Sequence, residues 1–228
     1  MKTGFAVILL AALLAGTVHY YRQSTYIPES LIEFAEKYPE AADFVNAYPQ
    51  KKNINYTIDL TDEVEEGSIP LFIQWDERWG YRTYGSDCMG ITGCGPTCLS
   101  MILCGLTGTT DWTPYSVAQF SEEHEYYVWG EGTSWNLMTE GAELLGLQAT
   151  AGTVSAEYIQ ENLSASTPMI ASMYPGDFTY TGHFIVLTGI DGDGNVTVND
   201  PNSPSNSSKT WSLDTLAPQI RSLWIYKA

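Results

Sequence analysis

The most restrictive feature of the sequence is a pair of apolar segments near its C-terminus, separated by turn-forming residues. The segments run from Phe184 to Ile190 and from Val196 to Asn199, with Asp191-Gly192-Asp193-Gly194-Asn195 between them. Short apolar runs joined by Asp and Gly residues are typical of a β-hairpin. A calcium loop is excluded, because Val196 and Asn202 stand at the sixth and twelfth positions, which require Gly and Glu. The sequence therefore predicts two antiparallel strands.

This hairpin brings a histidine and an aspartate together. With a two-residue loop, Asp191-Gly192, the register places His183 opposite Asp200, and with a four-residue loop Asp200 faces Ile185. An odd loop needs a bulge to restore the parity, because a slip of one residue turns every side chain to the other face. We expect a hydrogen bond from the imidazole of His183 to the carboxylate of Asp200.

A cysteine lies between two glycines in the run Gly93-Cys94-Gly95-Pro96-Thr97, just before a predicted helix from about Gly95 to Leu106. Proline is favoured at the first helical positions, where its missing N–H is not needed. The thiol of Cys94 would lie at the positive end of the helix, where the dipole and free N–H groups favour a thiolate and can hold an oxyanion. Read alone, Cys94 could equally be a buried structural cysteine.

The remaining patterns place helices in the first half and strands in the second. The predicted elements are a strand from Leu71 to Gln74, a helix after Thr113-Pro114, a helix from about Ser134 to Leu145, and strands from Met169 to Met173 and from Leu223 to Tyr226. This order indicates an α+β fold with an antiparallel sheet. The Ser- and Asn-rich stretch from Asn202 to Ser208 is predicted to be a surface loop.

We expect three parts along the chain. Residues 1–19 contain Lys2 followed by an apolar run from Phe5 to Val18, which is typical of a signal peptide or a short membrane anchor. Residues 20–66 are predicted to be a helical extension with two short helices, ending in an acidic, solvated linker from Asp59 to Gly67. Residues 67–228 form the main domain. The protein would therefore act outside the cytoplasmic membrane, secreted or attached by its N-terminal segment.

Charge excludes one class of partner. The chain has 10 Lys and Arg against 27 Asp and Glu, a net charge of −17, so nucleic acid would be repelled. Hydrophobic residues make up 44% and charged residues only 16%, which excludes a disordered chain. Membrane attachment is expected only through the N-terminal segment.

Four motifs in this order resemble the C39-like cysteine peptidases, papain-fold domains common in exported proteins of Gram-positive bacteria. The motifs are Ile69-Pro70-Leu71-Phe72-Ile73-Gln74-Trp75-Asp76-Glu77-Arg78-Trp79-Gly80, Gly93-Cys94-Gly95-Pro96-Thr97, Gly182-His183-Phe184 and Asn199-Asp200-Pro201. The resemblance covers about Ile69 to Trp224. It implies Cys94 as nucleophile, His183 as general base and acid, Asp200 as the residue that orients the imidazole, and Gln74 as oxyanion donor. In papain the glutamine stands nearer the cysteine, at the position of Cys88 here.

The expected function is that of an exported thiol hydrolase that cleaves peptide or amide bonds, monomeric and without cofactor or metal. Two alternatives are a non-catalytic peptide- or wall-binding module with the same papain-like fold, and an acyl transferase or amidase with the same three residues. Three other points stay open at this stage. Cys88 could pair with Cys98 or Cys104, or all three could be buried thiols. The segment from Gly130 to Trp135 could border the cleft or be a plain turn. The aromatic residues Trp75, Trp79, Tyr81 and Tyr84 could line a groove or fill the core.

Overall fold

The computed structural model of the protein describes residues 25–228, in two compact units divided between Ile54 and Asn55. The predicted export segment, residues 1–19, lies outside the described residues. Across residues 25–228, no helix combines the length and the apolar character that a membrane span requires.

The first unit contains the two short helices predicted from the sequence. Helix α1 (Glu29–Lys37) and helix α2 (Ala42–Lys51) are joined by a 3-10 turn at Pro39–Ala41. Glu29 lies in the first turn of α1 and Lys37 in its last, as the helix dipole favours. The buried residues of the two helices include Leu31 and Phe44.

The second unit contains helices along most of its length. They are α3 (Met89–Thr92), α4 (Cys94–Thr107), α5 (Pro114–Glu123), α6 (Glu140–Leu144), α7 (Ala156–Asn162), α8 (Pro204–Ser207) and α9 (Leu213–Leu216). Two 3-10 turns cover Trp135–Met138 and Ala217–Gln219. The helix predicted from Ser134 to Leu145 is therefore split at Thr139, whose backbone leaves the helical region.

The strands form one large sheet and two small hairpins. The hairpins are β1 (Thr83–Tyr84) with β2 (Asp87–Cys88), and β3 (Tyr127–Val128) with β4 (Gly132–Thr133). The large sheet contains β5 (Gln148–Ala151), β6 (Met169–Met173), β7 (His183–Ile190), β8 (Asn195–Asn199), β9 (Thr210–Ser212) and β10 (Ile220–Lys227). Its order is β5-β10-β6-β7-β8-β9, and every pair is antiparallel. The predicted α+β class with an antiparallel sheet is confirmed.

Each face of this sheet carries its own hydrophobic core. On one face, Phe184 and Val186 pack with residues of α4 such as Leu99 and Ile102. On the other face, Ile185 and Leu187 pack with the side chains of α7 and α9. Because β7 contributes alternate residues to both cores, its register is fixed from two sides. A fixed strand gives His183, its first residue, a fixed position.

Two predictions in the N-terminal part of this unit are wrong. Leu71 to Gln74 is not a strand: Pro70 has no N–H, and the carbonyls of Ile69 and Pro70 accept hydrogen bonds from the Asn199 side chain instead of from a neighbouring strand. The acidic stretch from Asp59 to Gly67 is not a free linker either. Leu60 is buried in the core, Arg78 forms an ion pair with Glu63, and the Gly67 N–H donates to the carbonyl of Gly105. These acidic residues belong to the compact unit that starts at Asn55.

Candidate active site

Cys94 is the first residue of α4 and lines a cleft of the second unit. A helix of 14 residues presents free N–H groups and the positive end of its dipole at this position. Cys94 is half-buried, so its sulfur is accessible from the cleft. The chemistry predicted for a helix-start thiol is therefore available here.

The other three cysteines have a different environment. All four are free thiols, but Cys88, Cys98 and Cys104 are buried. Burial raises the pKa of Cys88 to about 12 and that of Cys104 to about 11, and it raises the pKa of Cys98 well above its usual range. These thiols stay protonated and poorly nucleophilic at neutral pH. Among the cysteines, position and exposure single out Cys94.

The glycines around Cys94 are required by close contacts. A Cβ on Gly95 would lie 2.7 Å from Cγ2 of Thr133, which belongs to the β3–β4 hairpin. A Cβ on Gly93 would lie 2.5 Å from the carbonyl oxygen of Met89. Because Gly95 has no Cβ, the β3–β4 hairpin can approach the helix start beside the thiol. Thr133 is held there by a hydrogen bond with the hydroxyl of Tyr84.

His183 and Asp200 are hydrogen-bonded, as the hairpin predicted. The distance from His183 Nε2 to Asp200 Oδ1 is 2.7 Å, and both side chains are buried. Nδ1 is therefore the ring nitrogen left for another partner. Cys94 lines the same cleft as this imidazole and contributes to raising its pKa. The structure thus brings together the three side chains that were predicted to carry the chemistry.

The hairpin reaches this arrangement through a bulge. Five residues separate the last paired positions, Ile190 and Val196, so the loop is odd. The register then shifts between Leu187 and Gly189, which restores the parity. Beyond the shift Val186 pairs with Asn199, and continuing this register places Asp200 opposite Ile185, on the face of His183.

Asp200 is fully buried, and three donors compensate the burial of its carboxylate. Besides the imidazole, the N–H of Asn202 donates to Oδ1 at 2.9 Å and the Asn206 amide donates to Oδ2 at 2.9 Å. A buried carboxylate is stable only with such partners. The prediction that Asn202 to Ser208 is a simple surface loop is wrong: Asn202 is buried, helix α8 forms within the stretch, and Asn206 reaches back to Asp200.

The charge state of His183 follows from its neighbours. Burial alone would lower the pKa of His183, but the negative charge of Asp200, the hydrogen bond to it and the interaction with Cys94 outweigh burial. The pKa of the imidazole is raised well above its ordinary value of 6.5. The site therefore favours a protonated imidazole next to the carboxylate of Asp200.

Gln74 is buried, and it is not among the residues that line the cleft. Its amide nitrogen donates to the carbonyl of Gly90 at 2.8 Å and approaches that of Ile91 at 3.4 Å. Its own N–H donates to the carbonyl of Pro201, directly after Asp200. Gln74 thus links the segment before the nucleophile to the segment of the aspartate. Its role as an oxyanion donor stays a prediction.

The cleft has a volume of about 530 Å³. One side is formed by the helix start and the β3–β4 hairpin, and the other by residues of the large sheet. The lining residues other than Cys94 and His183 are Ser86, Ile91, Thr92, Tyr127, Gly130, Glu131, Gly132, Thr133, Trp135, Ser172, Thr181, Gly182, Phe184 and Arg221.

The structure answers the open question for the glycine-rich segment and for two of the four aromatic residues. The segment from Gly130 to Trp135 does both things predicted for it, because it borders the cleft while Ser134 caps the following 3-10 turn. Trp79 and Tyr84 are core residues with no exposed surface. In residues 25–228, no group of three or more His, Cys, Asp or Glu side chains is arranged to hold a metal ion.

Comparison with protein families agrees with the resemblance seen in the sequence. The family model of the Peptidase_C39 like family matches residues 66–227. Among solved structures, the chain is similar to a double glycine motif protease from an AMS/PCAT transporter, crystallised in complex with the leader peptide. That match has 16% sequence identity and a TM-score of 0.47, and it covers 71% of this chain and 93% of that chain. No curated protein matches the sequence.

The family match includes all four motifs on which the resemblance rests, together with Gln74, Cys94, His183 and Asp200. It covers more than half of the chain, so the predicted resemblance is confirmed. The protein belongs to the Peptidase_C39 like family and is a cysteine peptidase.

Proposed function

We propose that the protein is an exported thiol hydrolase of papain-like fold that cleaves peptide or amide bonds with Cys94, His183 and Asp200. The observation that carries this proposal is the buried hydrogen bond from His183 to Asp200, with the thiol of Cys94 at the start of α4 lining the same cleft as this imidazole. Nucleophile, base and orienting group are the three parts that acyl transfer by a thiol requires.

The proposed reaction proceeds in two steps. The Cys94 thiolate attacks the carbonyl carbon of the amide, and protonated His183 gives its proton to the leaving amine, which leaves a thioester on Cys94. Neutral His183 then takes a proton from water, whose oxygen attacks the thioester, and the acid is released as the thiolate and the imidazolium form again. Asp200 holds the ring in one orientation and stabilises its charged form throughout.

The proposal places the protein outside the cytoplasmic membrane as a monomer that acts on peptides. This part rests on the sequence: a charged residue followed by an apolar run from Phe5 to Val18, and a strongly acidic composition. Three buried, unpaired thiols are compatible with either compartment, because burial protects them from oxidation.

The direct test is the turnover of a peptide library, followed by mass spectrometry. We expect Cys94→Ala to abolish cleavage and Cys98→Ala to retain it, apart from a loss of stability. Cys98 is the matched control, because it lies on the same helix but is fully buried. Iodoacetamide should label Cys94 far faster than the three buried thiols. Full activity of Cys94→Ala would rule out the proposed chemistry.

The same experiment separates the alternatives. A hydrolase transfers the acyl group to water, whereas a transferase produces a new amide when an acceptor amine is added. A protein that binds peptides without releasing any product, and whose Cys94 reacts no faster than Cys98, would be a binding module.

A further inference from the structure

Arg221 is the one Lys or Arg side chain that lines the cleft among residues 25–228. It lies on β10, on the sheet side of the cleft, near Ser172 and Phe184. The chain as a whole has a net charge of −17, so an arginine at the reaction cleft is an exception to its surroundings. Two structural features determine its position.

The first cause is a β-bulge. In the ladder between β10 and β6, Ile220 pairs with Met173 and Ser222 pairs with Ser172, so Arg221 is the extra residue. A bulge breaks the regular alternation and redirects a side chain, and bulges are frequent beside active sites. Here the bulge directs the arginine to the cleft.

The second cause is an aromatic stack that holds the guanidinium. Arg221 lies over the ring of Trp135 at 5.0 Å and near that of Tyr174 at 5.9 Å. Trp135 in turn packs edge to face against Trp224, with 5.5 Å between ring centroids. Trp224 packs against Phe184, the neighbour of His183. Such stacking fixes a guanidinium in place while the N–H groups at its edge remain available to an acceptor.

A further observation concerns the partners of these N–H groups. Within the described part of the chain, Arg221 forms no ion pair with a carboxylate. Arg78, by contrast, pairs with Glu63 and Asp76. The other charged side chain of the cleft, apart from His183, is Glu131 of the turn between β3 and β4. Glu131 would repel an anion, so the favourable position for one is beside Arg221.

We propose that Arg221 is a specificity-determining residue that binds a carboxylate of the peptide substrate, either an acidic side chain or a free C-terminus. A guanidinium binds a carboxylate through two parallel hydrogen bonds, which a neutral amide cannot replace. The proposal rests on the proposed hydrolase function, because it assigns a substrate group to the same cleft. It predicts that the peptidase prefers peptides with a negative charge at one defined distance from the scissile bond.

The test uses short peptides in matched pairs: Glu against Gln at each position, and a free C-terminus against a C-terminal amide. We expect the wild-type protein to cleave one acidic peptide with a kcat/KM at least about tenfold above that of its neutral partner. Arg221→Gln should remove this ratio, and Arg221→Lys should retain part of it. Lys227→Gln is the matched control, since Lys227 is exposed on the same strand, is not among the cleft-lining residues and loses the same charge.

The pair that shows the preference identifies the source of the carboxylate. A Glu/Gln difference at one position indicates a side chain, and an acid/amide difference indicates the C-terminus. Peptides cleaved with the same ratio by the wild type and Arg221→Gln would overturn the carboxylate subsite while leaving the hydrolase intact.

Binding measurements test the carboxylate subsite even without turnover. Calorimetry of the same pairs with Cys94→Ala, and with Cys94→Ala combined with Arg221→Gln, measures the subsite without the reaction. An affinity ratio that Arg221→Gln removes supports the subsite. Equal affinities for acidic and neutral partners in both proteins would overturn it. If the wild-type protein cleaved none of the peptides while the selective binding was retained, this would instead contradict the hydrolase proposal.

Discussion

Asp200 is surrounded by three hydrogen-bond donors, and these decide what its substitution does. In Asp200→Asn the side-chain oxygen can still accept from His183, so the ring keeps its orientation but the imidazolium loses the opposite charge. We expect turnover to fall less than in Cys94→Ala. Asp200→Ala should be worse, because it leaves the Asn206 amide and the Asn202 N–H without their acceptor, at a cost of about 1–3 kcal/mol each in folding stability.

Two measurements check this order: kcat/KM for activity and urea unfolding for stability. If Asp200→Asn is as inactive as Cys94→Ala while its stability is unchanged, the charge of Asp200 and not its orienting role is the essential contribution.

Gln74 is predicted to be an oxyanion donor, whereas in the structure its amide nitrogen contacts the carbonyls of Gly90 and Ile91. These two roles can be separated by experiment. An oxyanion donor acts in the transition state, so its loss lowers kcat with little effect on KM. We expect Gln74→Ala to lower kcat by about 10²-fold. A reduction of tenfold or less, with a clearly lower Tm, would leave Gln74 as a support of the segment that precedes Cys94.

At this scale, three of the predicted site residues rest on local sequence rules. A helix start explains Cys94, and one hairpin explains both His183 and Asp200. Asn206 was missed because its contact with Asp200 depends on helix α8, which four polar residues form after a Ser203 cap. The only signal was the order of short polar residues that cap helices, and it does not indicate where such a side chain points.

At the scale of elements, the contact between the start of α4 and the β3–β4 hairpin can be tested. A Cβ at Gly95 would collide with Thr133, so Gly95→Ala should push the hairpin outward and cost about 1–3 kcal/mol of stability. Activity should fall as well, since the hairpin borders the cleft. The cost should be smaller in a Thr133→Gly background, which a double-mutant cycle measures.

Gly189→Ala is the control for this experiment, because a Cβ at Gly189 would meet no atom within 4 Å. Equal stability losses for Gly95→Ala and Gly189→Ala would show that the contact with Thr133 is unimportant.

The strands of the second half were predicted more accurately than the segments before the cysteine. Buried strands such as β6 and β7 are continuous apolar runs, which composition reveals. The edge strands β5 and β9 were missed, because they are short and largely exposed and so lack an apolar pattern. The extended run at Leu71 looks like a strand in sequence, but the carbonyls of Ile69 and Pro70 just before it accept hydrogen bonds from the side chain of Asn199, which no pattern indicates.

At the scale of the whole molecule, the raised pKa of His183 predicts how stability and activity depend on pH. Because the folded-state pKa lies above the unfolded value of about 6.5, the stabilisation of the charged imidazole is fully present below pH 6.5 and is lost as pH rises into the alkaline range. We expect the charged imidazole, and with it activity, to persist through neutral pH and to decline only at alkaline pH.

Profiles of kcat/KM against pH for the wild type and Asp200→Asn provide the measurement. The alkaline limb of Asp200→Asn should shift to lower pH, because the variant lacks the charge that raises the pKa of His183. An unchanged alkaline limb would show that another group titrates there.

The distribution of the four thiols has a consequence for damage by oxidants. Peroxide attacks thiolates that it can reach, and Cys94 alone combines a position in the cleft with the positive end of a helix. Cys88, Cys98 and Cys104 are enclosed and protonated, so mild oxidation should convert Cys94 to a sulfenic acid before it reaches the interior. The enzyme would then lose activity while its fold and melting temperature stayed intact, and a mild thiol reductant would restore it.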